Sequence, residues 1–283
     1  MNYQWYPGHM TKAKRMMQED SKLVDLIIEL VDARIPMSSR NPDIDEIGKN
    51  KFRVILLNKA DLANEKYNAL WADYFKQKGV LVQEMNSRSG KGMKNIQPLV
   101  QEACQAKFER DRKRGILNRP VRAMVVGIPN VGKSTFINSF AGRACTKTGN
   151  KPGVTKGKQW IRLNKNLELL DTPGILWPKF EDPKVGERLA IIGSINDGLV
   201  YADQLATALL AWLQKEYPEL LKERYQIQLK EDAYQTLEEI CISRHCFLKG
   251  EAPDLMRASR LLMEDFRSGK IGRITLEYPE EWQ

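Results

Sequence analysis

The sequence predicts an α/β domain over residues 1–180, a mostly parallel sheet with helices on both faces, and a smaller all-α domain over residues 181–283. Three observations carry this. Short runs rich in Val, Ile and Leu, each ending at a polar or glycine-containing loop, alternate with helical patterns in the first part. After Pro178 the pattern becomes continuously helical. The charge also divides there: residues 1–180 hold 32 basic and 17 acidic residues, net +15, and residues 181–283 hold 13 and 19, net −6.

Residues 1–20 form an N-terminal extension. The strand candidates follow in order: Leu23–Val31, Val54–Leu57, Val80–Met85, Ala123–Val126, the shorter Gln159–Leu163, and Leu167–Leu170. Helical patterns Lys66–Lys78 and Ile96–Arg112 lie between them, and a further helix is expected at Thr135–Ala141. The helices expected after Pro178 are Val185–Ile195, Gln204–Glu216, Glu219–Tyr225, Asp232–Arg244 and Pro253–Arg267, with Asp203 and Pro253 as opening signals. Leu205, Leu209, Leu210 and Leu213 are the expected core of a helical bundle.

With 42% hydrophobic residues the chain buries a real core and its 29% charged residues keep it soluble, so fibrous and disordered classes are set aside. No apolar run reaches the roughly 20 residues of a membrane span, and the opening residues lack an apolar signal core, so a cytoplasmic protein without a membrane partner is expected. Cys104, Cys145, Cys241 and Cys246 are scattered, which fits a reducing compartment. Cys241, His245 and Cys246 lack a fourth ligand for zinc, and Cys241 and His245 stand i,i+4 on an expected helix. Two segments concentrate positive charge: Lys107–Arg122 with seven basic against two acidic residues, and Arg143–Lys165 with seven and none. Together on a net +15 unit they point to nucleic acid.

Gly127-Ile-Pro-Asn-Val-Gly132-Lys133-Ser134 fits G-x-x-x-x-G-K-[ST], directly after an apolar run and before a helix. In that context the backbone amides of Asn130, Val131, Gly132, Lys133, Ser134 and Thr135 cradle phosphates, and the helix N-terminus favours the anion. Lys133 would reach the β- and γ-phosphates, and the Ser134 hydroxyl would ligate Mg²⁺. Asn58-Lys59-Ala60-Asp61 selects the base: the Asp61 carboxylate accepts from guanine N1 and the 2-amino group, neither of which adenine offers, so an ATP-dependent kinase is disfavoured. Asn86-Ser87 is placed to touch the guanine carbonyl. Asp171-Thr-Pro-Gly174 supplies a carboxylate near the metal and a glycine amide at the γ-phosphate, and Thr155 lies between the two phosphate segments, where it could complete the Mg²⁺ shell.

The base-reading segments precede the phosphate loop, which is a circular permutation of the usual order, with Asn118-Arg119-Pro120 as the joint. The order is chemically harmless, because the site needs only that all these loops meet at one sheet edge. Together with Trp5-Tyr-Pro-Gly-His9-Met10, Asp32-Ala-Arg34-Ile-Pro36 and the run Asp171–Pro178, the set resembles the ribosome biogenesis GTPase A (YlqF) type over the whole chain. The one departure is Arg88 after Ser87, where GTPases often have Ala.

The resemblance implies a circularly permuted P-loop GTPase domain. It implies a monomer that binds GTP and GDP, uses Mg²⁺, contacts rRNA and ribosomal proteins of the large-subunit precursor, and leaves after hydrolysis. Ile175 stands where Ras-like enzymes carry a water-orienting Gln, so slow intrinsic turnover, raised by the large subunit, is expected. His9 is the candidate to supply the missing function, as the family's N-terminal motif implies; packing or RNA contact is the other reading of the same residue. Lys133, Thr155 and Gly174 complete the candidate catalytic set. Asn130 resembles the asparagine that coordinates K⁺ in potassium-stimulated GTPases, which makes K⁺ a second candidate ion. A regulatory switch acting on a protein effector without RNA is the alternative reading, and the +15 unit argues against it.

Overall fold

Leu26–Asp32 is buried at every position and forms β1, the strand from which the sheet grows in both directions. It pairs in parallel with β2 (Phe52–Asn58) on one side and with β4 (Val121–Val126) on the other. β3 (Leu81–Glu84) adds in parallel beyond β2, and β6 (Leu167–Asp171) in parallel beyond β4. β5 (Gln159–Arg162) closes that edge antiparallel to β6, giving the order β3-β2-β1-β4-β6-β5. The computed structural model describes residues 8–117, 119–146, 159–195, 202–249 and 251–282, so Asn118, Thr155 and Lys147, Lys151, Lys156 and Lys158 lie outside the described residues.

Both faces of the sheet are covered, which is why its strands are apolar almost throughout rather than alternating. On one face, Ala13 and Met17 of α1 (Gly8–Ser21) and Ile44 and Ile47 of α2 (Asp43–Ile47) join a core with Ile27, Met124, Val126 and Leu170. Trp71 and Phe75 of α3 (Glu65–Gln77) continue it over Val31, Ile55 and Leu57. The alternate residues Ile28, Leu30, Leu56, Val125 and Leu169 are equally buried, on the face of α4 (Ile96–Ala103), α5 (Gln105–Lys113) and α6 (Lys133–Ala141). The single helix expected over Ile96–Arg112 is two, broken at the buried Cys104, whose carbonyl accepts from the amides of both Lys107 and Phe108. Beyond the break, the fully buried Lys107 ammonium donates to Asp111 at 2.8 Å and lies 3.9 Å from Asp25, tying α5 to the entry of β1.

The second compact unit spans Asp182–Leu276 and consists of α7 (Pro183–Ile191), α8 (Ala202–Glu216), α9 (Pro218–Tyr225), α10 (Ala233–Ser243) and α11 (Leu255–Ser268). Leu205, Leu209, Leu210 and Leu213 are buried in it. Three expectations shift. The first helix ends at Ile191, where the Arg267 guanidinium donates to the carbonyls of Ala190 and Ile191 at 2.7 and 2.8 Å and Gly193 turns the chain at φ 79°. Pro253 does not open a helix: it bridges to Phe247, and Asp254 caps α11 by accepting from Arg257 N. His245 lies past the end of α10 at φ 51°, and the Cys241 thiol donates to the Cys246 carbonyl.

The chain from Glu277 onward belongs to the first unit, not to the helical one expected to run to residue 283. Its buried carboxylate is the reason: Glu277 accepts from Met37 N, Ser38 N and Ser38 Oγ, and its carbonyl accepts from Trp71 Nε1 at 3.2 Å. Tyr278 stacks on Tyr67 with ring centroids 4.3 Å apart.

Candidate functional site

Five loops leave the carboxyl ends of parallel strands β1, β2, β3, β4 and β6 at one edge of the sheet, and all the expected base- and phosphate-binding segments that are described fall on four of them. The loop after β4 wraps tightly. Gly127, at φ 151°, would drive a Cβ to 2.6 Å from Leu30 O, and Gly132, at φ 102°, to 2.5 Å from Asn58 Nδ2. Asn130 also takes a positive φ of 60°. α6 starts at Lys133, and Phe136 N makes the first helical bond to Gly132 O. The amides of Lys133, Ser134 and Thr135 therefore stand at the helix mouth, the arrangement that holds phosphate oxygens.

The Lys133 ammonium is buried and donates to the carbonyls of Gly127 at 2.8 Å and Ile128 at 2.9 Å. Burial pulls its pKa down to about 8, against the opposing charge of Asp171. A triphosphate favours the charged amine, so above that pH binding must take up a proton. Triphosphate affinity is therefore expected to fall about tenfold per pH unit once pH exceeds about 8. Titration calorimetry at pH 7.5 and 9 measures it, and Lys133→Arg, which stays charged, removes the slope.

The segments before the phosphate loop in sequence lock onto it in space. Asn58 donates through Nδ2 to Val131 O at 2.7 Å, while its Oδ1 accepts from Ser87 N at 3.0 Å and Ser87 Oγ at 2.8 Å. One buried amide thus ties together the loops after β2, β3 and β4. Lys59, at φ 58°, donates to Asn130 O and to Asp32 Oδ2, both at 2.9 Å. Asp61 is exposed at the end of the same turn, open to a ligand. Asn86 turns its side-chain oxygen to the amides of Arg88 and Ser89, at 2.8 and 3.1 Å, so it shapes its loop, and Arg88 itself is exposed.

The loop after β6 supplies the remaining pieces. Asp171 is 1% exposed at the strand end, and Thr172 Oγ1 anchors the turn on Val125 O at 2.6 Å. Gly174 sits against the phosphate loop: a Cβ there would lie 2.8 Å from Lys133 Nζ and 2.9 Å from Pro129 N. The Ser134 hydroxyl and the Asp171 carboxylate are hard oxygen donors of the type Mg²⁺ takes. Ile175 turns away into the core shared with Ala13 and Met17. His9 lies in the first turn of α1, and its side chain, like Thr155, lies outside the described residues.

Two residues quoted only as part of a motif prove to organise the site. Asp32, fully buried, accepts from Arg34 Nε at 2.9 Å and Nη2 at 2.8 Å as well as from Lys59. Burial opposes its ionisation, yet the charges and hydrogen bonds of Arg34 and Lys59 hold its carboxyl far below the usual carboxylate range. A carboxylate ending a mostly apolar strand, with Arg two residues on, was the available signal. Ser139, whose Oγ donates to Ser87 O at 2.6 Å, carried no signal.

A family model described as 50S ribosome-binding GTPase matches residues 122–236. The chain is 47% identical over 283 residues to Ribosome biogenesis GTPase A of Bacillus cereus, covering 100% of this chain and 96% of the relative. It is also 47% identical to Ribosome biogenesis GTPase A of Priestia megaterium, covering 99% and 98%. Among solved structures it is similar to GNP-bound YlqF from T. maritima, with a TM-score of 0.66 and 28% identity over 95% of this chain and 99% of that one.

Proposed function

This chain belongs to the ribosome biogenesis GTPase A family, and from that premise we propose that it hydrolyses GTP while bound to the maturing large ribosomal subunit, contacts rRNA there, and leaves after hydrolysis. The observation that carries the reading is the Asn58 amide bridge, which joins the N-K-x-D turn to the phosphate loop although 73 residues separate Asn58 from Val131. In this reading Asp61 selects guanine, and the amides from Asn130 to Thr135, with Lys133, hold the phosphates. Gly174 offers its amide to the γ-phosphate. Ser134 and Asp171, with Thr155, hold Mg²⁺, which when bound neutralises charge developing on the phosphates.

The Ile175 side chain is committed to the core, so the water-orienting function falls to another group. His9 is the candidate within the chain. α1 ends just before β1 and packs with Ile175, which directs its N-terminus toward the carboxyl edge of the sheet. Asn130 is the candidate ligand for K⁺. The chain acts as a monomer in the cytoplasm; no described helix is long and apolar enough to cross a membrane.

The test is GTP turnover with and without purified large subunits. Turnover is expected to rise on the order of 10³-fold with subunits, the scale of supplied catalytic groups in other GTPases, and His9→Ala should remove that rise with subunit binding intact. Turnover unchanged by subunits would sink the reading, full stimulation of His9→Ala would remove His9, and equal rates in K⁺ and Na⁺ would remove the potassium role.

A further inference from the structure

One of the five loops at the carboxyl edge, the one that follows β1, carries none of the expected base or phosphate segments, yet it reaches into the site. Residues 33–41 are buried almost throughout although they form neither helix nor strand. Buried backbone of that kind must find its hydrogen-bond partners elsewhere. Ser39 Oγ accepts from Asp32 N at 2.9 Å, and Arg34 N donates to Asp32 Oδ1 at 3.1 Å. The amides of Met37 and Ser38 turn instead to the Glu277 carboxylate, 239 positions beyond Ser38. Ser38 N lies 3.1 and 3.2 Å from its two oxygens, and Met37 N and Ser38 Oγ donate to one oxygen each. From this anchorage the loop touches both phosphate-binding segments. At its start Asp32 holds the Lys59 ammonium, which donates to Asn130 O in the phosphate loop. At its end the buried Asn41 donates through Nδ2 to Ile175 O at 3.3 Å, one residue past Gly174.

We propose that Glu277 is a positioning residue for the nucleotide site: through the loop after β1, its carboxylate sets how firmly Lys59 holds the phosphate loop, and so how slowly bound nucleotide leaves. An ionised carboxylate offers acceptors only, so all three donors of Met37 and Ser38 are met; a Gln in its place turns an NH₂ group toward one of them. The loop must then shift to pair a buried amide again, because leaving it unpaired is costly. Asp32 moves with the loop, since Ser39, next to Ser38, holds its amide. That displacement draws on the Lys59 ammonium, which is shared between Asp32 and Asn130 O. A role confined to fastening the tail would lower stability and leave nucleotide release unchanged. The proposal rests on the guanine-nucleotide reading of the site given above.

The test is stopped-flow release of fluorescent GDP, and of a fluorescent non-hydrolysable GTP analogue, from the full chain with Mg²⁺, with thermal unfolding measured alongside. Glu277→Gln should speed release of GDP about tenfold, the scale of coupling within one hydrogen-bonded network. The analogue should lose at least as much, because the same loop also holds Ile175 beside Gly174. Ser38→Ala removes one donor and leaves both amides paired; it should speed release about threefold, and it decides the matter if Glu277→Gln does not fold. In a Lys59→Met background the link to Asn130 O is already gone. There Glu277→Gln should add less than about twofold to release, while its effect on unfolding temperature stays the same as in the parent. Parental release rates in Glu277→Gln and Ser38→Ala, with a lowered unfolding temperature, would make Glu277 an anchor of the tail only and overturn the proposal. An undiminished tenfold acceleration in the Lys59→Met background would overturn it as well, since the effect would bypass Lys59. If the parent chain holds neither nucleotide, the guanine reading fails and takes this proposal with it. If the parent holds both and the variants release them at its rate, the proposal fails alone.

Discussion

Asp61→Asn is expected to weaken GTP binding at least about 10²-fold, close to 3 kcal/mol, and to create binding of xanthosine triphosphate where the parent has almost none. The carboxylate accepts two hydrogens from guanine; an amide in its place sets its NH₂ against the guanine 2-amino group and leaves donors unpaired. Xanthine carries a carbonyl at that carbon and accepts from the same amide. Because Asp61 is exposed at the end of its turn, the substitution should leave the unliganded chain's stability within about 0.5 kcal/mol, so lost binding is not lost folding. Competition of GTP, ATP and XTP for a fluorescent guanine nucleotide measures the switch. Undiminished GTP binding would remove Asp61 from the site and with it the guanine reading.

Gly174→Ala is expected to lower single-turnover GTP hydrolysis by about 10²–10³-fold, the scale set by loss of one preorganised donor to a reacting centre, while GDP affinity changes little. The added Cβ meets backbone: Pro129 N at 2.9 Å and Pro129 Cα at 3.0 Å, with Lys133 Nζ at 2.8 Å. The lysine tip can shift, but the phosphate loop cannot without losing its wrap, so the loop after β6 must move out. That withdraws the Gly174 amide from the γ-phosphate position, which GDP does not fill. Comparable losses for GDP and GTP would instead mean that the substitution had collapsed the phosphate loop.

The motif residues were legible because their geometry is local. Gly127 and Gly132 need conformations and clearances that only glycine tolerates, and α6 begins where the loop ends. What Asn58 does was not legible from its four-residue motif, since its two partners, Ser87 and Val131, come from other loops. Asp32 and Arg34 were visible as residues, but their hold on Lys59 requires β1 and β2 to end side by side, at the paired positions Asp32 and Asn58. Asn86 turns its side-chain oxygen to the amides of its own loop, a choice between two acceptable hydrogen bonds that only the loop's conformation makes.

From the amino-acid order alone came the α/β class, the alternation of strands and helices, the phosphate loop and the permuted order of the pieces. Each depends on hydrophobic periodicity or on backbone demands spanning a few residues. The tertiary structure alone decided that Ile175 faces the core, that the helix after residue 96 breaks at Cys104, and that the tail from Glu277 docks on the first unit. The acidic, aromatic tail has no period to reveal a destination. Its carboxylate becomes buried only because the amides of Met37 and Ser38, some 240 residues earlier, stand ready to donate hydrogen bonds to it. Such a pairing is fixed by the desolvation balance of two distant segments brought together, and no local pattern encodes it.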